Sequence, residues 1–311
     1  MTLSLKAITI ATLGIGGISL GALATQADGV AAERAATIAL AASAPAMPMD
    51  APRAPTLTQP APMQLAQSNV AGGAIPQQEL SPFGLPCGLS VTTTAIEGAR
   101  VALDIMDPCQ PFSRVVIEHS GLNLTGRTDV MGLLTMDVPA FETPAFFTVR
   151  MPDGASDSAL AIISDLEDFY RVGLQWNENR ALELHALEFG ATYGEEGHIW
   201  HGNSGTVERA VSGAGGFVSM VGNADVDSPM MAQIYSLPRD TLNDAGNVRL
   251  SIEAPVTEDN CGQDTMARTL ELEEDGSVAV IELTFTFPGC DAVGEYLVLQ
   301  NLLQDLRVAS N

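Results

Sequence analysis

Residues 115–149 constrain the fold more tightly than any other stretch. Val115 and Ile117, Leu122 and Leu124, Leu134, Met136 and Val138, then Phe147, Val149 and Met151 all place apolar side chains two apart. That is the period of a half-buried strand, not of a helix. The punctuation agrees. Asp129 and Gly132 take the first and fourth positions of a turn, Pro139 stops a strand, and Pro152-Asp-Gly154 closes the run. Val101, Leu103 and Ile105 supply an earlier strand. The expectation is a small antiparallel β-sandwich over residues 86–155.

The V-x-I strand, the Gly121-Leu122 loop, the T-D-x-x-G turn from Thr128 to Gly132 and the L-x-M-x-V-P strand ending at Pro139 have a recognisable order. Together, residues 98–152 resemble the transthyretin-like sandwich, also found as a carboxypeptidase regulatory-like domain. The resemblance implies a scaffold or binding role without an active site. The remainder resembles an uncharacterised companion domain of bacterial envelope proteins.

Residues 156–311 read as a second β-rich domain, so the chain is expected to be mainly β, with two antiparallel sandwich-like domains. Val172, Leu174 and Trp176 alternate, as do Leu182, Leu184 and Ala186. Asp275-Gly276 between two alternating runs is the strongest hairpin signal present. Leu299, Leu302, Leu303 and Leu306 also fit helical spacing, so the C-terminal end is ambiguous. Residues 160–163 suggest a short strand inside a break.

Size makes the cysteines matter. A module of about seventy residues buries too little surface to be comfortable alone. Cys87, Cys109, Cys261 and Cys290 are the four cysteines. In an exported chain pairing is the default: Cys87 with Cys109, and Cys261 with Cys290 around the hairpin. The Cys87–Cys109 bond would add roughly 3 kcal/mol in the chain-entropy account.

Export is read from the N-terminus. Residues 1–27 hold one charge, Lys6, then an uncharged hydrophobic stretch expected to be helical, ending in small residues at cleavage-type spacing. Two readings stand: a cleaved signal peptide, or an uncleaved inner-membrane anchor. Residues 28–85 are rich in Pro and Ala and read as a disordered tether. The expected location is the periplasm, free or anchored, or secretion. Formal net charge is -24 and Lys6 is the lone lysine, which excludes nucleic acid and disfavours anionic membrane surfaces as partners.

Chemistry-bearing motifs concentrate between residues 185 and 227. His185, His198 and His201 are candidate zinc ligands, since zinc accepts three histidines and an open position. Against this, residues three apart on a strand face opposite ways. Gly202-Asn-Ser204-Gly205 echoes the nucleophile loop of trypsin-like proteases, without a histidine motif to serve it. Asn223, Asp225 and Asp227 have the alternate-oxygen spacing of a calcium loop, but Ser228 and Ile234 stand where Gly and Glu belong. No cofactor is otherwise implied. The expected function is a non-enzymatic binding or assembly role in the cell envelope, with a protein or glycan partner, Trp176 and Trp200 being the candidate glycan surface. The alternative is a metal-dependent or serine hydrolase built on the His185 to Ser204 region.

Overall fold

A computed structural model describes residues 7–8, 79–177, 182–299 and 302–308. The expectations for residues 1–27 and 28–85 otherwise lie outside the described residues. Two residues of the first, Ala7–Ile8 (β1), pair in parallel with Tyr296 and Leu297. The last stretch before Cys87 is folded: Cys87 N–H donates to Glu79 O at 2.8 Å, and Ser81 N–H to Leu85 O at 2.7 Å. The folded chain therefore starts before the expected boundary at residue 86. The Cys87–Cys109 disulfide holds this segment against the first module.

The first module has seven strands: β2 (Ser90–Ile96), β3 (Arg100–Met106), β4 (Arg114–His119), β5 (Leu122–Arg127), β6 (Leu133–Pro139), β7 (Ala145–Arg150) and β8 (Ser156–Ala161). They form a three-stranded sheet, β2-β3-β6, and a four-stranded sheet, β5-β4-β7-β8. All pairings are antiparallel. Val101, Leu103, Ile105, Val115, Ile117 and Phe147 meet in the core. The Asp129 to Gly132 turn forms as read, with Asp129 Oδ1 accepting from Met131 N–H and Leu133 N–H. β8 lies past the expected module boundary at residue 155. It was poorly legible because its apolar residues are small or exposed, Leu160 among them.

The second module comprises β9 (Phe169–Asn177), β10 (Glu183–Glu188), β11 (His198–Ile199), a short helix α1 (Val207–Val211), β12 (Phe217–Val221), β13 (Met230–Pro238), β14 (Gly246–Pro255), β15 (Asp264–Leu272), β16 (Val278–Thr286), β17 (Tyr296–Leu299) and β18 (Leu306–Val308). One sheet runs β12-β13-β9-β15-β16; the other runs β1-β17-β14-β10-β11, with β18 also on β14. β15 and β16 form the hairpin around Asp275-Gly276, and Cys261–Cys290 closes its base. The leucines near the C-terminus belong to strands and their connection among the described residues, not to a helix.

The two modules form one packed body. Residues 77–311 cluster as a single compact unit. β9 is buried on both faces. Val172, Leu174 and Trp176 enter the core of the second sandwich. Its other face meets the first module: Asn123 N–H donates to Gln175 Oε1 at 2.7 Å.

Arg171 is the polar centre of this joint. It is 1% exposed. Its guanidinium donates to Gly98 O at 2.9 Å, to Ala99 O at 2.7 Å and to Ala140 O, and Nε donates to Ser236 Oγ at 3.1 Å. Burial pulls its pKa down to about 9, opposed by Asp165, so the group stays charged at neutral pH. Asp165 in turn accepts from Ala99 N–H at 2.9 Å. A fully buried cation is tolerable only with such complete satisfaction.

Candidate functional site

β10 and β14 pair with Glu183 opposite Glu253 and His185 opposite Ser251. Leu184, Ala186, Leu250 and Ile252 point into the core, so strand alternation forces Glu183, His185, Ser251 and Glu253 onto the other face. Like charges directly across a ladder destabilise a sheet. Here the two carboxylates are also largely shielded, with side chains 16% and 10% exposed. Such an arrangement costs stability and calls for a reason.

The imidazole of His185 stands between them. Its Nε2 is 3.2 Å from Glu183 Oε2 and 4.0 Å from Glu253 Oε2. Its Nδ1 is 2.8 Å from His198 Nε2. Gly194 N–H donates to His198 Nδ1 at 3.1 Å, and this fixes the protons along the chain. His198 Nδ1 must accept, so neutral His198 donates from Nε2 to His185 Nδ1, and His185 donates from Nε2 to Glu183. Burial lowers the pKa of His198, reinforced by His185 and opposed by Glu253.

Aromatic rings enclose this chain. Trp200 lies nearly parallel to His198 and His185, with centroids 5.6 and 5.2 Å away. Tyr193 meets His198 edge-on at 4.9 Å and donates its hydroxyl to Glu253 Oε1. Burial, then the bond to Glu253, raise the Tyr193 pKa. The chain folds back over the indole at residue 202, where a Cβ would lie 2.6 Å from the ring, so any residue larger than glycine would push the indole or the chain aside. That turn places His201 on the far side of Glu183, with Nδ1 3.6 Å from Oε1.

A cavity of about 1350 Å³ opens beside this wall; Glu183, His185, Tyr193, His198, Trp200 and Glu253 line it. Elsewhere its lining includes Glu271, whose pKa is raised by burial and then by Glu273.

The sequence-predicted residues fare unequally. His185 and His198 come together, but as a hydrogen-bonded pair, so their facing nitrogens are spent on each other. His201 reaches the pair through Glu183 and through the Trp200 ring. Among the described residues no three His, Cys, Asp or Glu side chains are grouped to hold a metal ion. Ser204 Oγ lies 3.3 Å from Gly205 O, with no histidine among its hydrogen-bond partners. Asn223 Oδ1 accepts from Asp225 N–H at 2.7 Å, closing a turn, and Asp227 O accepts from Arg114 at 2.8 Å. Trp176 is a core residue, 6% exposed, which removes it from any glycan surface. Sequence reasoning missed Glu183, Glu253, Ser251 and Tyr193. For Glu183, Ser251 and Glu253 the signal was alternation, polar residues set between the apolar ones of β10 and β14; Tyr193, in the loop after β10, had none.

Comparison with protein-family models finds no match, and comparison with curated proteins finds none.

Proposed function

We propose that this chain is an exported, non-enzymatic binding or assembly protein of the cell envelope, working in the periplasm. Its ligand site is the cavity walled by Glu183, His185, Tyr193, Trp200 and Glu253. One observation carries the reading. Two shielded carboxylates are held opposite each other, at a cost to the sheet, on the wall of a cavity large enough for a small molecule or a peptide segment. Clefts with convergent polar and aromatic groups are the default location of ligand sites, and groups with shifted pKa values, here Tyr193 and His198, cluster at functional sites. The two disulfides support an oxidising compartment outside the cytoplasm. The first module, on its resemblance to the transthyretin-like sandwich, serves as scaffold. The hydrolase alternative draws no support from Ser204, whose hydroxyl donates to Gly205 O and not to a histidine.

A photo-crosslinking amino acid at Tyr193, in the full chain expressed with its export segment, tests this. A discrete adduct with an envelope component at Tyr193, absent when the crosslinker replaces Glu282 on β16, is the expected result. Equal background at both positions would overturn the assignment of the cavity.

A further inference from the structure

We infer that the cavity recognises an organic cation, an alkylammonium or guanidinium group, seated against Glu183 and Glu253 and flanked by Trp200 and Tyr193. This rests on reading the cavity as the ligand site and goes further by naming the chemistry of the ligand.

The argument begins with unbalanced charge. Glu183 and Glu253 face each other across adjacent strands, and among the described residues no arginine forms an ion pair with either. Their partners are neutral or titratable: His185 and His201 for Glu183, Tyr193 and Ser251 for Glu253. The proton polarity set by Gly194 keeps His198 neutral, and His185 donates one proton to Glu183 without cancelling a charge. A carboxylate has roughly four acceptor positions, so both retain capacity for a ligand's N–H groups. The wider cavity continues the sign, with seven acidic side chains against four arginines, one of which is the sealed Arg171. Arg239 is also engaged, its guanidinium over the Tyr170 ring at 4.1 Å. The chain as a whole adds a field of the same sign, at a formal net charge of -24, and a cleft lined by one sign concentrates the counter-charged ligand.

The aromatic walls select among cations. The Tyr193 ring, exposed on the cavity wall, offers a phenol face that attracts ammonium and guanidinium groups. A zinc ion held by histidine would instead need a free imidazole lone pair, and both nitrogens of His185 are occupied, Nδ1 by His198 and Nε2 by Glu183. A neutral glycan would not require two opposed carboxylates. Two sources share the chemistry: a free polyamine, and a lysine- or arginine-bearing segment of another protein.

Calorimetric titration of the full chain tests the inference, with spermidine, a tetralysine peptide, maltotriose and zinc as probes. Saturable binding of spermidine, tetralysine or both is expected, weakened about tenfold by Glu183→Gln and by Glu253→Gln and weakening with added salt. Preference for spermidine identifies a free polyamine as the source, and preference for tetralysine a basic peptide. Glu282→Gln removes the same charge at a distant surface pair with Arg268 and is expected to leave affinity unchanged. Equal loss in Glu282→Gln would overturn the inference, because the cation would then be responding to overall charge. So would binding of maltotriose or zinc with no response to either amine. If the Tyr193 adduct persists in that case, the cavity remains a ligand site and only the cationic class falls. Melting temperatures of the isosteric glutamine variants confirm that lost affinity is not lost folding.

Discussion

The Arg171 joint and the Glu183–Glu253 wall are both buried polar clusters on β strands of the same module, yet they are built from opposite kinds of partner. Three of the four Arg171 acceptors are main-chain carbonyls of the first module. Such groups cannot titrate, and they move only if the fold moves. The wall pairs carboxylates with imidazoles and a phenol, each able to gain, lose or redirect a proton, and it borders a cavity. The first arrangement fixes geometry; the second leaves interaction capacity over for a ligand. Burial alone therefore says little about role. The nature of the partners separates a rivet from a site.

Breaking the rivet is expected to have the largest effect. Arg171→Ala leaves three carbonyls and Asp165 in an enclosed joint without their cation. A loss of about 3–5 kcal/mol is expected from removing one partner of a buried charged network, read as a lower urea midpoint. A loss under about 1 kcal/mol, the size of an ordinary hydrogen bond, would mean that the two modules do not depend on this contact.

Glu188 gives the next test, because it is a fully buried carboxylate paired with an arginine, which Glu183 among the described residues is not. Its side chain is 0% exposed. It accepts from Gly216 N–H at 2.7 Å, Tyr235 Oη–H at 2.7 Å and Arg209 Nη2 at 2.8 Å. Burial, then the neighbouring carboxylate, push the Tyr235 pKa well up, so the phenol stays a donor. Glu188→Gln is expected to cost about 2–3 kcal/mol, in the range for hydrogen bonds to charged groups. Glu183→Gln, on the wall, is expected to change stability by less than about 1 kcal/mol, because relief of the cross-strand repulsion offsets the lost bonds. Denaturation of the two variants side by side measures the contrast. A larger loss at Glu183 than at Glu188 would put the wall among the structural networks.

What was legible in the sequence follows the same division. Strand period and turn chemistry are local, so the sandwich strands around residues 115–149, the Asp275-Gly276 hairpin and the core faces of β9 and β10 could be read from residue spacing. The cysteine pairs could be proposed because each flanks a closed β segment. The module joint could not. Strand alternation puts Arg171, Gly173 and Gln175 on the face of β9 opposite Val172, Leu174 and Trp176, and the docking of the first module, where Phe141 closes on Gly173, covers that face. The site was half legible for the same reason. His185 and His198 stand out by residue type, but Glu253 meets Glu183 through a long-range register that no spacing within one strand reveals. Strand alternation, which would set His198 and His201 on opposite faces, does not apply, because β11 ends at Ile199 and His201 lies in the turn that follows, 3.6 Å from Glu183.

The smallest effect expected separates the two buried histidine environments by pH. His119 is wired like the rivet. Phe141 N–H donates to its Nε2 at 2.9 Å, so Nδ1 carries the proton and donates to Phe146 O at 2.9 Å. Burial lowers its pKa, opposed by the Phe146 carbonyl and by Glu142, whose carboxylate is 3.8 Å away, while the Arg171 charge lowers it further. Below the ordinary value of 6.5 the unfolded chain takes up protons that the native His119 and His198 resist. Stability is therefore complete above that pH and declines as pH falls through the depressed native values. The decline is expected to be carried mainly by His119. A second proton there displaces the Phe141 N–H, with no replacement acceptor, whereas a proton entering the His198–His185 chain meets Glu183 and Glu253. Urea midpoints measured from pH 8 to 5 are expected to fall in the parent, to fall less in His119→Gln, and to keep the parental slope in His198→Gln. If His198→Gln is the variant that flattens the profile, the wall is as rigid as the joint, and the distinction between fixed and titratable partners does not hold in this molecule.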